Sequence, residues 1–228
     1  MRLVKPSFEI LSIDENALER IEVAGRTCYK SEEKMTSDSS LKFAKSLLSR
    51  GHLSVIEHAN ATVKFVVDRG VSHELVRHRL CAFSQESTRY CNYKGGVTFV
   101  IPPWLPFEPQ KDMDSNATLG FFSDGCFSSD SVWLLSIARA EQTYLQLLEF
   151  GWTPQQARSV LPNSLKTEIV VTANMREWLH IFDLRTSKAA HPQMREIMKP
   201  LLFEFANRIP VLFNGMAKDR ALKEMANA

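Results

Sequence analysis

The chain has 228 residues, 44% of them hydrophobic and 24% charged, which is the composition of a folded globular body and excludes a disordered or fibrous chain. A formal net charge of +2 excludes a domain-wide basic footprint for nucleic acid, so local groups of arginine carry more information than the total. Four cysteines, Cys28, Cys81, Cys91 and Cys126, with no CxxC pair, argue against a disulfide framework, a zinc ribbon or a redox dithiol.

Residues 3–12 are short and partly apolar and read as an edge strand. Asp14 can cap a helix that runs to about Tyr29. Leu41, Ala44, Leu47 and Leu48 put an apolar face on a helix from Ser40 to Arg50, with Gly51 as its stop. The β-branched run 61–68 reads as a strand broken by Gly70. Ser72 then caps a short helix carrying Glu74, Arg77 and His78. Residues 101–130 hold Pro102, Pro103, Pro106 and Pro109, then a stretch rich in Ser, Asp and Gly, and read as a long irregular insertion. Residues 131–150 form the clearest helix, ended by Gly151, and Thr153-Pro154 opens another. Residues 166–173 read as a second strand. Asn174 opens a helix to about Thr186. Pro192 opens the last long helix, which Pro200 should kink or interrupt.

Strands mixed with many helices, without regular βαβ alternation, predict an α+β fold: a mixed or antiparallel sheet with helices packed around it, in one domain over 1–228. The first residues carry no apolar run of signal-peptide length, and nowhere do about 18 apolar residues follow one another. The expectation is a cytoplasmic protein with no membrane partner and no nucleic-acid partner.

One segment concentrates polar chemistry: Arg77-His78-Arg79-Leu80-Cys81-Ala82-Phe83-Ser84-Gln85-Glu86-Ser87-Thr88-Arg89-Tyr90. The planar guanidinium fork suits phosphate and carbonyl-rich rings, and hydroxyls add short, adaptable bonds. The set suits a phosphorylated, planar ligand such as a nucleotide. Leu75, Val76, Leu80 and Phe83 would pack the segment against the body. His73 and His78 imitate a zinc-protease helix, but that motif needs its histidines four residues apart. Five residues apart, they point about 140° from one another, so no metal is expected there. A phosphate- or RNA-binding module using Arg77, Arg79 and Arg89, with Phe83 and Tyr90 stacking on bases, is an alternative of another class. The low net charge speaks against it.

Arg-His-Arg, seven residues, then Ser resembles the signature of flavin-dependent thymidylate synthases, and Arg77 to Ser87 fits it completely. Three further blocks are similar in order: His52-Leu53-Ser54-Val55-Ile56-Glu57-His58; Gln156-Ala157-Arg158-Ser159-Val160-Leu161-Pro162; and Asn174-Met175-Arg176-Glu177-Trp178-Leu179-His180 running to Leu184-Arg185. The resemblance implies a homotetramer that converts dUMP to dTMP, with methylenetetrahydrofolate as carbon donor and NADPH reducing FAD. It implies a dUMP site at Glu74, Leu75, Val76, Arg77, Gln85, Glu86, Ser87, Thr88, Arg89, Arg158 and Arg185. It implies an FAD site at His52, Ser54, Arg77, His78, Arg79, Gln85, Asn174, Met175, Arg176 and His180. Arg185 is implied as the activating residue, favouring negative charge at N3 and O2 of the pyrimidine. Glu74 stands where some members carry Gln, and Cys28 where some carry Ser.

The residues agree with this without demanding it. No cysteine follows a proline, as the nucleophile of the thiol-dependent thymidylate synthases usually does. No GxGxxG fingerprint points to FAD, so the cofactor comes from the resemblance alone. Asn174 by itself is an ordinary helix cap, and Arg176 and His180 share one helical face.

Overall fold

A computed structural model describes residues 1–121 and 128–225. The elements in chain order begin with β1 (Arg2–Val4), β2 (Ser7–Ile13), α1 (Ala17–Tyr29), α2 (Ser39–Ser49), β3 (Asn60–Asp68) and α3 (Arg69–Leu75). They continue with β4 (Ala82–Gln85), β5 (Thr98–Val100), α4 (Ser115–Phe121), α5 (Ser129–Glu149), α6 (Pro154–Ala157) and β6 (Lys166–Asn174). The last are α7 (Met175–Arg185), α8 (Pro192–Arg208) and α9 (Pro210–Met225). Strands β2-β3-β6-β4, in that order, make a four-stranded sheet, and β1 pairs in parallel with β5. The chain is therefore a mixed sheet-and-helix protein, as its unpatterned alternation of elements predicted.

The chain forms two compact units. The first comprises Met1–Ser7, Phe65–Arg77 and Ser84–Ile169; the second comprises Phe8–Lys64, His78–Phe83 and Val170–Ala228.

In the first unit, α5 buries Leu134, Ile137, Ala138 and Tyr144, one stripe at helical spacing. These pack with Leu3, Val97, Phe99, Ile101, Ala157 and Leu165. Glu141 lies on the same stripe. Its carboxylate is kept buried by the Met1 ammonium at 3.0 Å, the Val97 amide at 2.7 Å and the Ser115 hydroxyl. A buried carboxylate without such donors would cost several kcal/mol, roughly. Ser128 and Ser131 form a reciprocal capping box at the start of α5. The 101–130 segment is less irregular than predicted, since α4 falls inside it; its residues 122–127, Cys126 among them, lie outside the described residues.

In the second unit, Trp178 and Phe182 of α7 meet Phe205 of α8 and Phe213 of α9, with ring centroids 5.1–5.8 Å apart. The Trp178 indole donates to the Ala61 carbonyl at 3.1 Å, so its polar end is satisfied. Gly25 lets α1 approach Phe43 of α2: a Cβ there would lie 2.5 Å from the ring.

Four local expectations change. Asp14 does not cap α1: its carboxylate takes Arg20 at 2.9 Å and the Asn60 amide at 2.9 Å, and the helix starts at Ala17. Asp68, not Ser72, caps α3, accepting from the Val71 amide at 2.7 Å. Gly70 is not a strand breaker but makes room for that cap, since a Cβ there would lie 3.0 Å from the Asp68 carboxylate. Pro200 sits inside an unbroken α8. Buried Met198, Leu201, Leu202 and Phe205 on both sides offset a lost backbone bond worth about 3 kcal/mol. The helix ends eight residues later, before Pro210.

Candidate active site

The residues assigned to the nucleotide fall, apart from Arg185, in the first unit. Those assigned to the flavin fall, apart from Arg77 and Gln85, in the second.

In the first unit the strand-to-helix turn capped by Asp68 places Ser72, fully buried, beside β4. Gln85 at the end of β4 donates through Nε2 to Ser72 Oγ at 2.9 Å and to Thr167 Oγ1 on β6 at 3.2 Å. Both amide hydrogens are thereby used, which leaves the side-chain carbonyl as what Gln85 can offer a ligand. Glu86 is bound by Lys166 at 3.0 Å and by the Tyr93 hydroxyl at 3.0 Å. Lys166 also donates to Glu168 at 2.7 Å. Burial works against the Lys166 charge, yet its bonds to Glu168 and Glu86 win and raise its pKa. Burial, then Glu86, pushes the Tyr93 hydroxyl well above its ordinary value, so it stays a donor.

The loop that follows turns on Ser87, whose carbonyl accepts from the amides of Tyr90 and Cys91 at 3.1 and 2.9 Å. Arg158, at the end of α6, donates to the buried Thr88 hydroxyl at 2.9 Å. Arg89 donates to Gln155 at 2.9 Å and lies over the Tyr90 ring. Both arginines are exposed, and two cationic forks, from the loop and from the end of α6, stand beside the Ser87 and Thr88 hydroxyls, an arrangement suited to an anion. Glu74 is half-buried and Arg77 and Val76 are exposed, but Leu75 is 1% exposed and belongs to the core.

In the second unit α7 organises the site. Asn174 caps it, accepting from the Glu177 amide at 2.8 Å. Met175 is fully buried and donates its amide to the Ala59 carbonyl at 2.8 Å. Arg185, in the last turn, donates its Nε–H to His78 Nε2 at 3.0 Å. His78 Nδ1 lies 3.5 Å from Glu177 Oε1, and the His180 ring meets His78 edge-on at 5.7 Å. Burial, then Arg185 and His180, lower the His78 pKa from 6.5 to about 4, so its ring is neutral at physiological pH. Burial raises the Glu177 pKa, against a smaller opposing effect of His180. His78, Glu177 and His180 lie close enough to bracket a cation, but the Arg185 guanidinium occupies a ring nitrogen and repels one. Burial, then Glu177, pushes the Cys81 thiol up to about 12.

Separately in the same unit, His52, Ser54 and Arg176 line a cavity of about 350 Å³ together with Cys28, Tyr29 and Gly51. The Arg176 guanidinium, half exposed, pairs with Glu57. Arg79 is exposed.

Several organising residues escaped the sequence reading. Glu177 carries no motif signal of its own, although it shares the α7 face of His180 at three residues' spacing. Lys166 and Glu168 alternate on one face of β6, which period-two patterning could have flagged. Arg220 of α9 donates to Thr186 Oγ1 at 3.0 Å and the Asp183 carbonyl at 3.0 Å, holding the α7 terminus next to Arg185. Nothing local in the sequence announces that contact.

The chain is similar to known proteins along most of its length. Residues 9–211 match the family model of the thymidylate synthase complementing protein. The flavin-dependent thymidylate synthase of Corynebacterium aurimucosum is 33% identical over 208 residues, 89% of this chain and 82% of its own. That of Mycobacterium tuberculosis is 32% identical over 197 residues, 85% of this chain and 77% of its own. Two solved structures share the fold. The UMP/dUMP methylase PolB of Streptomyces cacaoi, bound with 5-Br dUMP, has a TM-score of 0.73 at 22% identity, over 94% of this chain and 96% of its own. ThyX of Helicobacter pylori with FAD and dUMP has a TM-score of 0.72 at 21% identity, over 93% and 99%. By the extent of these matches, the chain belongs to the flavin-dependent thymidylate synthase family.

Proposed function

We propose that the protein is an FAD-dependent thymidylate synthase that reductively methylates dUMP to dTMP, with methylenetetrahydrofolate as carbon donor and NADPH as reductant. We further propose that it works in the cytoplasm as a homotetramer with shared active sites. The observation that carries the reading is the family match over 9–211, which takes in every assigned residue from His52 to Arg185. Among the described residues no helix is long and apolar enough to cross a membrane.

The residues supply the chemistry as follows. Arg89 and Arg158, with Ser87 and Thr88, offer charge-assisted bonds to a phosphate dianion. The Gln85 carbonyl offers an acceptor to the nucleotide. Glu74 can accept from a ribose hydroxyl, though it would repel phosphate. Arg185, a fixed cation, favours the pyrimidine with negative charge at N3 and O2, which raises the nucleophilicity of the ring carbon to be methylated. His78 stays neutral and does not compete for that charge. The Cys81 thiol, next to the Arg77-His78-Arg79 triplet, is held protonated and is not poised to attack.

The residues of the second unit fit FAD by donor set. A guanidinium, an imidazole and a hydroxyl, from Arg176, His52 and Ser54, line one cavity, and such groups suit a pyrophosphate or ring carbonyls. FAD, reduced by NADPH, would supply the hydride that completes the methyl group.

Purified protein should be yellow and should oxidise NADPH faster when dUMP is present. UMP belongs in the same assay, since the fold is shared with a UMP/dUMP methylase. A colourless protein that takes up neither FAD nor dUMP would overturn the reading; faster oxidation with UMP than with dUMP would overturn the substrate.

A further inference from the structure

We infer that Glu177 is a positioning residue for Arg185, acting through His78: its carboxylate holds the imidazole as the Nδ1–H tautomer, so that Nε2 stays an acceptor and anchors Arg185 by its Nε–H. The inference rests on the reading of Arg185 as the activating group.

The chain of contacts runs in one direction. A guanidinium can only donate, so the 3.0 Å contact from Arg185 Nε makes His78 Nε2 the acceptor. A neutral imidazole with one accepting nitrogen must carry its proton on the other. That nitrogen, Nδ1, lies 3.5 Å from Glu177 Oε1. His78 and Glu177 are 4% and 6% exposed, so water does not compete for either contact. The opposite tautomer would set one N–H against another across 3.0 Å. Glu177 is itself fixed, because its amide is the donor that Asn174 caps. The contact to Nδ1 is long, and such contacts commonly tighten when substrate binds. Taking up the Nε–H fixes the plane of the guanidinium, and with it the direction of the charge offered to the pyrimidine. Orienting groups of this kind typically change rates by about 10- to 100-fold.

The test uses Glu177→Ala and Glu177→Gln in flavin-loaded protein, with two readouts. The first is the His78 tautomer, from long-range proton–nitrogen spectra of histidine-labelled protein, assigned by the signal lost in His78→Gln. The second is dTMP formation at saturating dUMP, with the dUMP KM measured alongside. The expected result is an Nδ1–H tautomer in the parent, a mixed or Nε2–H signal in Glu177→Ala, and turnover lowered about 10- to 100-fold with KM changed far less. Glu177→Gln, whose amide oxygen can still accept, should recover most of both. A parent ring already on Nε2–H, or a tautomer unmoved in Glu177→Ala, overturns the inference. A shifted tautomer with unchanged turnover also overturns it, and removes Arg185 from the chemistry while the rest of the proposed function stands. If Glu177→Ala does not fold, Glu177→Gln alone decides: it must keep the Nδ1–H tautomer, and an Nε2–H signal in it overturns the inference.

Discussion

The two groups of site residues are built on different principles. In the first unit nearly every polar side chain is already bonded to another: Gln85 to Ser72 and Thr167, Glu86 to Lys166 and Tyr93, Arg158 to Thr88, Arg89 to Gln155. In the second unit the residues divide. A line from the buried Glu177 and His78 to the partly buried Arg185 stands apart in character from an open cavity lined by His52, Ser54 and Arg176. A preorganised group avoids ordering costs on binding and suits a small ligand held in one pose. An open cavity suits a larger, flexible one, and the line to Arg185 suits a charge that must not move.

Substitutions can break this contrast. The largest expected effect is Arg185→Ala, which should lower dTMP formation by about 10²- to 10³-fold or more while FAD stays bound, read by product assay and flavin absorbance on one sample. Loss of the flavin instead would merge the two roles separated here. Next, Arg158→Ala should raise the dUMP KM by about 10- to 100-fold, the worth of one charge-assisted bond, with the flavin spectrum unmoved. Arg176→Ala should do the reverse, weakening FAD and sparing dUMP affinity.

A fourth prediction concerns pH. His78 titrates at about 4 when folded against an ordinary 6.5. As pH falls through about 6.5 the unfolded chain takes up a proton that the folded chain refuses. The stability this group contributes is complete above that value and is lost as pH falls towards 4, at up to about 1.4 kcal/mol per pH unit. Urea midpoints measured from pH 7 to 4 should show this slope, and His78→Gln should flatten it. The smallest effect is chemical: Cys28, exposed, should alkylate readily at pH 7.5, and Cys81 slowly, because its thiol is held at about 12. Equal rates, read by peptide mass spectrometry, would place Cys81 in a more open setting than described.

The sequence disclosed long elements well and local ones less so. The α5 and α7 helices and strand β6 were readable because each carries its own period and its own stop. The caps of α1 and α3 were misjudged because a carboxylate chooses among amides by geometry, and Asp14 found a partner 46 residues away. Motif blocks mark most of the assigned residues but carry no sign of burial: Met175, within a matching block, and Leu75, just ahead of one, are both buried in the packing. The supporting residues, Glu177, Lys166, Thr167 and Arg220, were not announced at all. Their roles arise from contacts with distant residues, such as Lys166 with Glu86, 80 positions away, and Thr167 with Gln85, 82 away, and no local pattern encodes a distant partner.

One of the crossings between the units falls between Arg77 and His78, inside the Arg77-His78-Arg79 triplet. Each unit is assembled from three separate stretches of chain. During synthesis, the first therefore cannot be complete before residue 169 emerges, nor the second before the last helix does. Folding must close long loops before either core can reward it, which predicts slow, largely post-synthetic folding. Neither half of the polypeptide should survive alone as an excised fragment.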